Sequence, residues 1–145
     1  MTHTPQARVF TEVVLEVFKL SGLLTAEGDR LTEAHALSSA RWKILGSIAQ
    51  ADSPPTVPQI ARVMGQTRQA VQRLVNVMHA DGLLDFLGNP NHKRAKLVAL
   101  TTNGKRVYTQ LEKSQIPWAN QCAGHMNRKE LETTLSVLRR ISHLF

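Results

Sequence analysis

The sequence predicts a mainly α-helical fold with one small β-hairpin, and three patterns indicate it. Most of the 145-residue chain carries apolar residues at helical spacing behind capping residues. Residues 56–81 contain two short helical patterns that only Gly65 and Gln66 separate. Residues 83–100 contain two short apolar runs around a turn, as in a β-hairpin. A chain of this length can form one domain or two small lobes with a core of their own.

The first helix is predicted from Pro5 to about Leu24, with Thr4 as its N-cap. Residues 25–37 are predicted to form a connection with a short turn around residues 32–36, because Gly28 and Asp29 are helix breakers. The apolar residues of the helix cover more than one narrow stripe, so the helix needs neighbours on two sides. It is either a central core helix of a monomer or a helix shared with a second subunit, and we favour the second. These apolar residues are Phe10, Val13, Val14, Val17, Phe18, Leu20 and Leu24.

A second helix is predicted after Ser38 or Ser39, either of which can cap it. It has to end before Pro54 and Pro55, since the residue before a proline avoids helical geometry. Its inward face is predicted to consist of Trp42, Leu45, Ile48 and Ala49.

Thr56 opens a third helical pattern, and Gln59 stands three residues later, so their side chains can form a capping box. Pro58 lies in the first turn, where its missing N–H costs no helical hydrogen bond. Gly65 can adopt the left-handed conformation that ends the helix. A short helix followed at once by another is a helix-turn-helix pattern. The small apolar face of this helix consists of Ile60, Ala61 and Met64.

The fourth helical pattern begins after Thr67, and we call residues 67–81 the recognition helix. Its buried stripe is predicted to consist of Val71, Leu74, Val75 and Met78. Its opposite face consists of Arg68, Gln69, Gln72, Arg73 and Asn76, with no acid before Asp81. Arginine binds guanine through two hydrogen bonds, and Gln or Asn does the same with adenine, so this face suits base edges in a major groove. An ordinary solvated face is the alternative, and this helix alone does not decide between them.

The runs LLDFL at 83–87 and KLVAL at 96–100 are predicted to be the two strands of a hairpin, which we call the wing. Basic residues on its loop can simply aid solubility. Because the wing directly follows a helix-turn-helix, we instead expect it to reach phosphates or an adjacent minor groove. The basic residues are Lys93, Arg94 and Lys96.

Two further helices are predicted behind the wing. Thr101 caps the first of them, and Pro117 is expected to kink or interrupt it near Gln115. Asn127 with Glu130 is expected to form a capping box for the last helix.

The first and last helices both have wide apolar faces that need partners. We therefore predict a helical dimerisation lobe formed by residues 1–35 and 107–145, which flanks a winged helix-turn-helix lobe at 36–106. The predicted dimer-interface residues are Phe10, Val14, Leu131, Leu135, Leu138 and Phe145.

The net charge of +7 is concentrated in one segment. Residues 54–106 contain eight Lys or Arg against two acids, whereas the flanking segments are almost balanced. A polyanion would therefore bind where the helix-turn-helix lies, and double-stranded DNA is the predicted partner. A membrane surface suits the chain less well, because the polar face of the recognition helix has no aromatic residue.

The single cysteine, Cys122, excludes an internal disulfide and any multi-cysteine zinc site. No run of about 18 apolar residues and no signal peptide occurs, so a cytoplasmic protein without a membrane partner is predicted. The histidines are scattered, with neither an HExxH motif nor a Gly-rich phosphate loop, so we expect no enzyme, metal site or cofactor. The remaining alternative to a DNA-binding regulator is a protein-interaction module that has lost DNA binding. Acids on the recognition face would be its signature, and this face has none.

The order of elements and several local motifs resemble the MarR family of bacterial transcription regulators. The motifs are ARWKILGSIA, IARVMG, RQAVQRLVNVMHADGLL and KRAKLVALTTNG. The resemblance covers almost the whole chain. It implies a winged helix-turn-helix homodimer with interlocking terminal helices, acting as a repressor on a palindromic operator. It also implies a small aromatic or phenolic compound as effector.

One position departs from the family pattern. Family wings usually place an Asp ahead of two basic residues, where it helps to position the arginine, and this chain has His92 before Lys93 and Arg94. Histidine titrates near a pH of about 6.5, so a gain of operator affinity at lower pH is one hypothesis. Some family members sense oxidants through a cysteine, but Cys122 is interpreted as a small buried residue instead.

Overall fold

Six α-helices and one two-stranded antiparallel hairpin make up the computed structural model, which describes residues 1–145. The helices are α1 (Pro5–Thr32), α2 (Ser39–Ala49), α3 (Val57–Met64), α4 (Arg68–Ala80), α5 (Thr102–Ala123) and α6 (Arg128–Ser142). The strands are β1 (Leu84–Leu87) and β2 (Leu97–Leu100), and a short 3-10 turn spans Glu33–His35. The chain divides into two compact units, Met1–Leu111 and Glu112–Phe145. None of the helices is both long enough and apolar enough to cross a bilayer.

Helix α1 continues to Thr32, so the predicted end near Leu24 is wrong and the connection is confined to residues 33–38. The short turn predicted around residues 32–36 is present as the 3-10 turn Glu33–His35. Gly28 does not break the helix, because it is the point at which α1 packs closely on α2. A Cβ atom at Gly28 would lie 2.7 Å from the Ser39 Oγ atom. The Thr32 hydroxyl is buried and lies 2.8 Å from the Gly28 carbonyl oxygen, which closes the last turn. Glycine is present here for close approach rather than for a break in the helix.

Helix α2 begins as predicted behind Ser38, whose hydroxyl accepts a hydrogen bond from the Arg41 amide. Asp29 of α1 adds a second cap, because its carboxylate accepts a hydrogen bond of 2.8 Å from the Ser39 amide. Ala49, which was predicted to face inward, is exposed at the last position of the helix. The buried stripe instead consists of Ile44, Leu45 and Ile48, with Trp42 half-buried beside it.

The helix-turn-helix has the caps that its sequence predicts. The Thr56 amide donates to Gln59 Oε1 at 2.9 Å and the Gln59 amide donates to Thr56 Oγ1 at 3.4 Å, which is a complete capping box. Gly65 has a φ of +64°, the left-handed conformation that ends α3. Thr67 then caps α4 by accepting a hydrogen bond of 3.1 Å from the Ala70 amide. These caps fix the angle at which α4 leaves α3.

The apolar core lies in the unit Met1–Leu111 and holds α4 against its neighbours. Val71, Val75 and Met78 of α4 are completely buried, and Leu74 is partly buried at the edge of the same core. Burying each of these side chains contributes about 1.5 to 3 kcal/mol, so α4 is firmly held. The remaining core residues are Ile44, Leu45, Ile48, Val57, Ile60, Ala61, Leu83, Leu84, Val98 and Leu111.

The wing is a regular antiparallel hairpin in which Leu84 lies opposite Leu100 and Leu87 lies opposite Leu97. Both strands begin one residue later than predicted. The Leu83 amide donates a hydrogen bond of 3.0 Å to the Met78 carbonyl oxygen of α4 and therefore does not join the strand pairing. The hairpin is not isolated, because the Val98 amide donates a hydrogen bond of 2.7 Å to the carbonyl oxygen of Pro55. The wing is therefore attached to the segment that leads into α3.

Helix α5 runs without interruption from Thr102 to Ala123, so the predicted interruption near Gln115 is wrong. Pro117 lies inside the helix and is exposed. It removes one backbone hydrogen bond, and a helix of 22 residues tolerates this loss.

Cys122 in the last turn of α5 is exposed, so the prediction that it is buried is wrong. The reason is that no residue of the unit Glu112–Phe145 is fully buried.

Helix α6 begins behind Asn127 as predicted, but the capping box with Glu130 does not form. The Asn127 side chain accepts a hydrogen bond of 2.7 Å from the Lys129 amide. This bond reaches two residues ahead, and the Glu130 side chain makes no return bond to Asn127. The cap is thus a single hydrogen bond.

Candidate nucleic-acid interface

Helix α4 turns a polar face outward because its opposite face is locked into the core. Val71, Val75 and Met78 have no solvent exposure, so the residues between them have to point away from the core. All five side chains of the outward face are exposed: Arg68, Gln69, Gln72, Arg73 and Asn76.

Two amides on this face are joined before any ligand binds. Gln72 Nε2 donates a hydrogen bond of 2.8 Å to Asn76 Oδ1. This pairing leaves the Gln72 oxygen as a free acceptor and the Asn76 amino group as a free donor. An adjacent acceptor and donor match the major-groove edge of adenine, which offers N7 as acceptor and N6 as donor.

The C-terminal end of α4 is fixed by contacts with α2 and β1. Arg41 Nη1 forms an ion pair of 3.0 Å with Asp81 Oδ2, the C-cap residue of α4. His79 Nδ1 lies 2.8 Å from the Leu84 carbonyl oxygen, and its ring packs against Phe86 with 4.8 Å between centroids. The direction of the recognition helix is therefore set by the rest of its unit.

A groove runs between α4 and the wing. Seven of the nine residues predicted to bind DNA line it: Arg68, Gln69, Gln72, Arg73, Asn76, Arg94 and Lys96. Its walls also include Val57, Pro58, Phe86 and Ala95. The helix and the hairpin thus present their polar residues to one continuous surface.

The other two predicted residues lie outside the groove. The Thr67 hydroxyl caps α4, so its role in the structure is to start the recognition helix. Lys93 is exposed on the wing loop and forms no hydrogen bond or ion pair.

Phe86 is a lining residue that the sequence did not single out. Its half-buried ring lies under Lys96, whose Nζ atom is 6.0 Å from the ring centroid. That distance is at the outer limit of a cation–π contact. The only sequence signal was an aromatic residue in the alternating run LLDFL, and this run was interpreted simply as a strand.

The cations of this surface have no acidic partner within the chain. The three ion pairs of the structure are Arg30–Glu27, Arg41–Asp81 and Arg128–Glu132. None of them includes a cation of α4 or the wing. Five positive side chains are therefore free to attract an external anion, namely Arg68, Arg73, Lys93, Arg94 and Lys96.

Side chains of Asn89 and His92 hold the wing loop. Asn89 Nδ2 donates to the Ala95 carbonyl oxygen at 2.9 Å. His92 Nδ1 accepts hydrogen bonds from the backbone amides of Arg94 at 3.2 Å and of Ala95 at 3.1 Å. His92 therefore stands where an acidic support was expected and acts there as a hydrogen-bond acceptor.

A helix-turn-helix with an exposed polar second helix, followed by a basic hairpin, defines a winged helix-turn-helix protein. A model described as MarR family matches residues 37–95 of the chain. An uncharacterized protein of Mycobacterium tuberculosis is 36% identical over 129 residues, which covers 89% of each protein. This chain belongs to the MarR family and is a DNA-binding transcription regulator, not an enzyme.

One more distant relative and two solved structures are also similar to this chain. The transcriptional activatory protein BadR of Rhodopseudomonas palustris is 24% identical over 128 residues, which covers 86% of this chain and 73% of BadR. CouR from Rhodococcus jostii, solved with bound p-coumaroyl-CoA, has a TM-score of 0.80 at 15% identity, covering 90% of this chain and 91% of CouR. A mutant MarR from E. coli, solved with operator DNA, has a TM-score of 0.71 at 23% identity, covering 88% and 94%.

Proposed function

We propose that the chain is a homodimeric, sequence-specific repressor that places one α4 helix per subunit into successive major grooves of a palindromic operator. The observation that carries this proposal is the groove between α4 and the wing, whose cations have no acidic partner in the chain. Its half-sites would be about 34 Å apart along the DNA, one helical turn, or a multiple of that distance. The E. coli MarR mutant of the same fold was solved with operator DNA, which supports operator binding as the activity to test.

The residues of the surface divide into two roles by chemistry and position. Side chains at the centre of α4 are proposed to contact base edges, since they are exposed and carry hydrogen-bond donors and acceptors. These are Gln69, Gln72, Arg73 and Asn76. Side chains at the helix start and on the wing are proposed to contact phosphates or the minor groove. These are Thr67, Arg68, Lys93, Arg94 and Lys96.

The salt dependence of binding tests the phosphate contacts. Four cations per subunit, Arg68, Lys93, Arg94 and Lys96, make eight in a dimer. If all contact phosphates, the logarithm of affinity should fall against the logarithm of salt concentration with a slope of roughly −7. The measurement is a titration of a duplex selected from a random or genomic pool. A pool from which no duplex is enriched, or a flat salt dependence, would refute the proposal.

The dimer is proposed from two apolar surfaces that each unit leaves exposed. In α1, Phe10 and Phe18 are 39% and 70% exposed, and Val14 is only half-buried. In the unit Glu112–Phe145, the exposed apolar residues of α6 and the C-terminus include Leu131, Leu135, Leu138 and Phe145. Apolar surfaces of this extent mark interaction sites, so we assign residues 1–35 and 107–145 to dimerisation and residues 36–106 to DNA binding.

A charge on the apolar face of α6 should separate the subunits. Leu135 is 47% exposed in the single chain, and Leu135→Glu would place a carboxylate in the dimer interface. We expect the mutant to sediment as a monomer at micromolar concentration and to lose operator binding, whereas the wild type sediments as a dimer. Thr133→Glu is the matched control, because it adds the same charge on the opposite side of α6. A dimeric Leu135→Glu protein would contradict the proposed interface.

Regulation by a small effector is proposed from the relatives. CouR is solved with p-coumaroyl-CoA, whose coumaroyl group carries a phenol ring, so an aromatic or phenolic compound is the class to test. BadR is an activator by its name, so activation by this chain is the outcome that would contradict the proposed repression. Repeating the duplex selection with aromatic acids present tests both points. An effector of a repressor should lower the recovery of the operator.

A further inference from the structure

The wing loop between β1 and β2 depends on a single histidine ring nitrogen. Both backbone N–H groups that approach His92 Nδ1, those of Arg94 and Ala95, can act only as donors. The ring nitrogen therefore has to be an acceptor, and the proton of the neutral ring has to be on Nε2. This tautomer follows because both partners of Nδ1 are donors, and a nitrogen that carries a proton cannot accept from them.

The two bonds fix the part of the wing that faces the recognition helix. Arg94, Ala95 and Lys96 line the groove beside α4. His92 holds the backbone of the first two, so it sets the point from which the Arg94 side chain leaves the loop. His92 itself is exposed and lies outside the groove lining, so it acts through Arg94.

We propose that His92 is a positioning residue for the operator contact of Arg94, and that it works only in its neutral form. The inference rests on the proposed function, in which Arg94 reaches DNA. Protonation puts a hydrogen on Nδ1, which would then face two N–H groups, and both hydrogen bonds would be lost. Operator affinity should therefore fall at lower pH, opposite to the gain expected from an added positive charge.

The charged side chains on the same loop as His92 are cations, and no acid is paired with its ring. The charged side chains of the loop are Lys93, Arg94 and Lys96, which are all cations. No carboxylate forms an ion pair with His92. Asp85, the one acid of the wing strands, pairs with Ala99 and is separated from the loop by two further residue pairs. The phosphates of bound DNA would favour the charged ring. That attraction would raise operator affinity at lower pH, whereas loss of the two hydrogen bonds would lower it.

Two variants separate these effects in an anisotropy titration of the operator duplex at pH 8 and pH 5.5 and constant salt. His92→Asn keeps an acceptor that does not titrate, and an Asn side chain commonly bonds the amide two residues ahead. His92→Ala has no acceptor. At pH 8 we expect His92→Ala to bind about three- to tenfold more weakly than wild type, and His92→Asn to bind as wild type does. At pH 5.5 the wild type should approach His92→Ala.

The readout is the ratio of wild-type to His92→Asn affinity, because the other five histidines are the same in both proteins. A ratio that stays constant or rises at pH 5.5 would overturn the proposal. Equal binding of wild type and His92→Ala at pH 8 would do so as well. Circular dichroism has to show equal folding of all variants, as expected for an exposed residue.

A double mutant tests whether His92 acts through Arg94. In an Arg94→Ala background, His92→Ala should cause no further loss of affinity. An undiminished loss there would show that His92 acts on DNA by another route. If Arg94→Ala alone binds the operator like the wild type, the proposed DNA contact of the wing fails, which is a separate result from failure of the histidine.

Discussion

Gly104→Ala is expected to destabilise the chain more than any surface substitution, by about 3 kcal/mol or more. Gly104 is buried in the first turn of α5, where this helix meets the start of the wing. A Cβ atom at this position would overlap the carbonyl oxygen of Leu83. That atom belongs to the backbone and cannot rotate away, so the helix or the wing would have to move.

The contacts around Gly104 leave little room for such a movement. The Thr101 amide donates a hydrogen bond of 3.1 Å to the Leu83 carbonyl oxygen, the same atom that the new Cβ would reach. The Thr101 hydroxyl donates to the Gly82 carbonyl oxygen at 2.7 Å and accepts from the Gly104 amide at 2.9 Å. Relieving the overlap would break this cap of α5 and shift the wing.

Denaturant unfolding followed by circular dichroism measures the effect. Gly88→Ala is the matched control, because nothing lies within 4 Å of a Cβ at Gly88 and its backbone is not left-handed. The control should change the free energy of unfolding by less than about 1 kcal/mol. If Gly104→Ala is as stable as Gly88→Ala, the close approach of α5 and the wing is not required for folding.

Arg73→Ala is expected to cost roughly 1 to 3 kcal/mol of operator binding for each contact, or about 5- to 150-fold in affinity. Arg73 is exposed on the central part of α4, lines the groove and has no carboxylate partner. Its guanidinium can donate two hydrogen bonds to one guanine, so its loss should also relax the base preference at one position of each half-site.

Lys93→Ala is the matched comparison for Arg73→Ala. Lys93 is also an exposed cation of the surface, but it lies on the wing loop outside the groove. Its loss should weaken binding to all sequences alike and reduce the salt slope by about 1 for each phosphate contact. Competition titrations with single-base operator variants distinguish the two results. If Arg73→Ala weakens every variant equally, Arg73 contacts phosphate and not a base.

Four helix starts, whose caps depend on neighbouring residues, were predicted correctly from the sequence, whereas the capping box predicted for α6 does not form. The caps Thr4, Ser38, Thr56 and Thr67 all accept hydrogen bonds from the amides of the helices that they start. Gly65 ends α3 in the predicted left-handed conformation. A cap forms between groups three residues apart, so its chemistry is contained in a short piece of sequence.

Predictions that depended on distant neighbours were less successful. Gly28 is predicted to be a helix breaker from its residue type, but its role in the structure is to let Ser39 of α2 pack closely against α1. The burial of Cys122 was predicted from the usual behaviour of cysteine, yet its unit has no fully buried residue. Neither the role of Gly28 nor the exposure of Cys122 can be predicted from neighbouring residues, since both depend on which surfaces pack together.

The sequence by itself determined the helix-turn-helix, the polar face of α4 and the basic wing, because helical spacing and charge can be counted along the chain. Only the tertiary structure decided that seven of the predicted residues share one groove and that Phe86 lies in its wall. It also decided that the His92 ring faces two backbone amides. The reason is physical: a groove and a ring acceptor exist only when the hairpin has folded beside α4 and its loop has closed on itself.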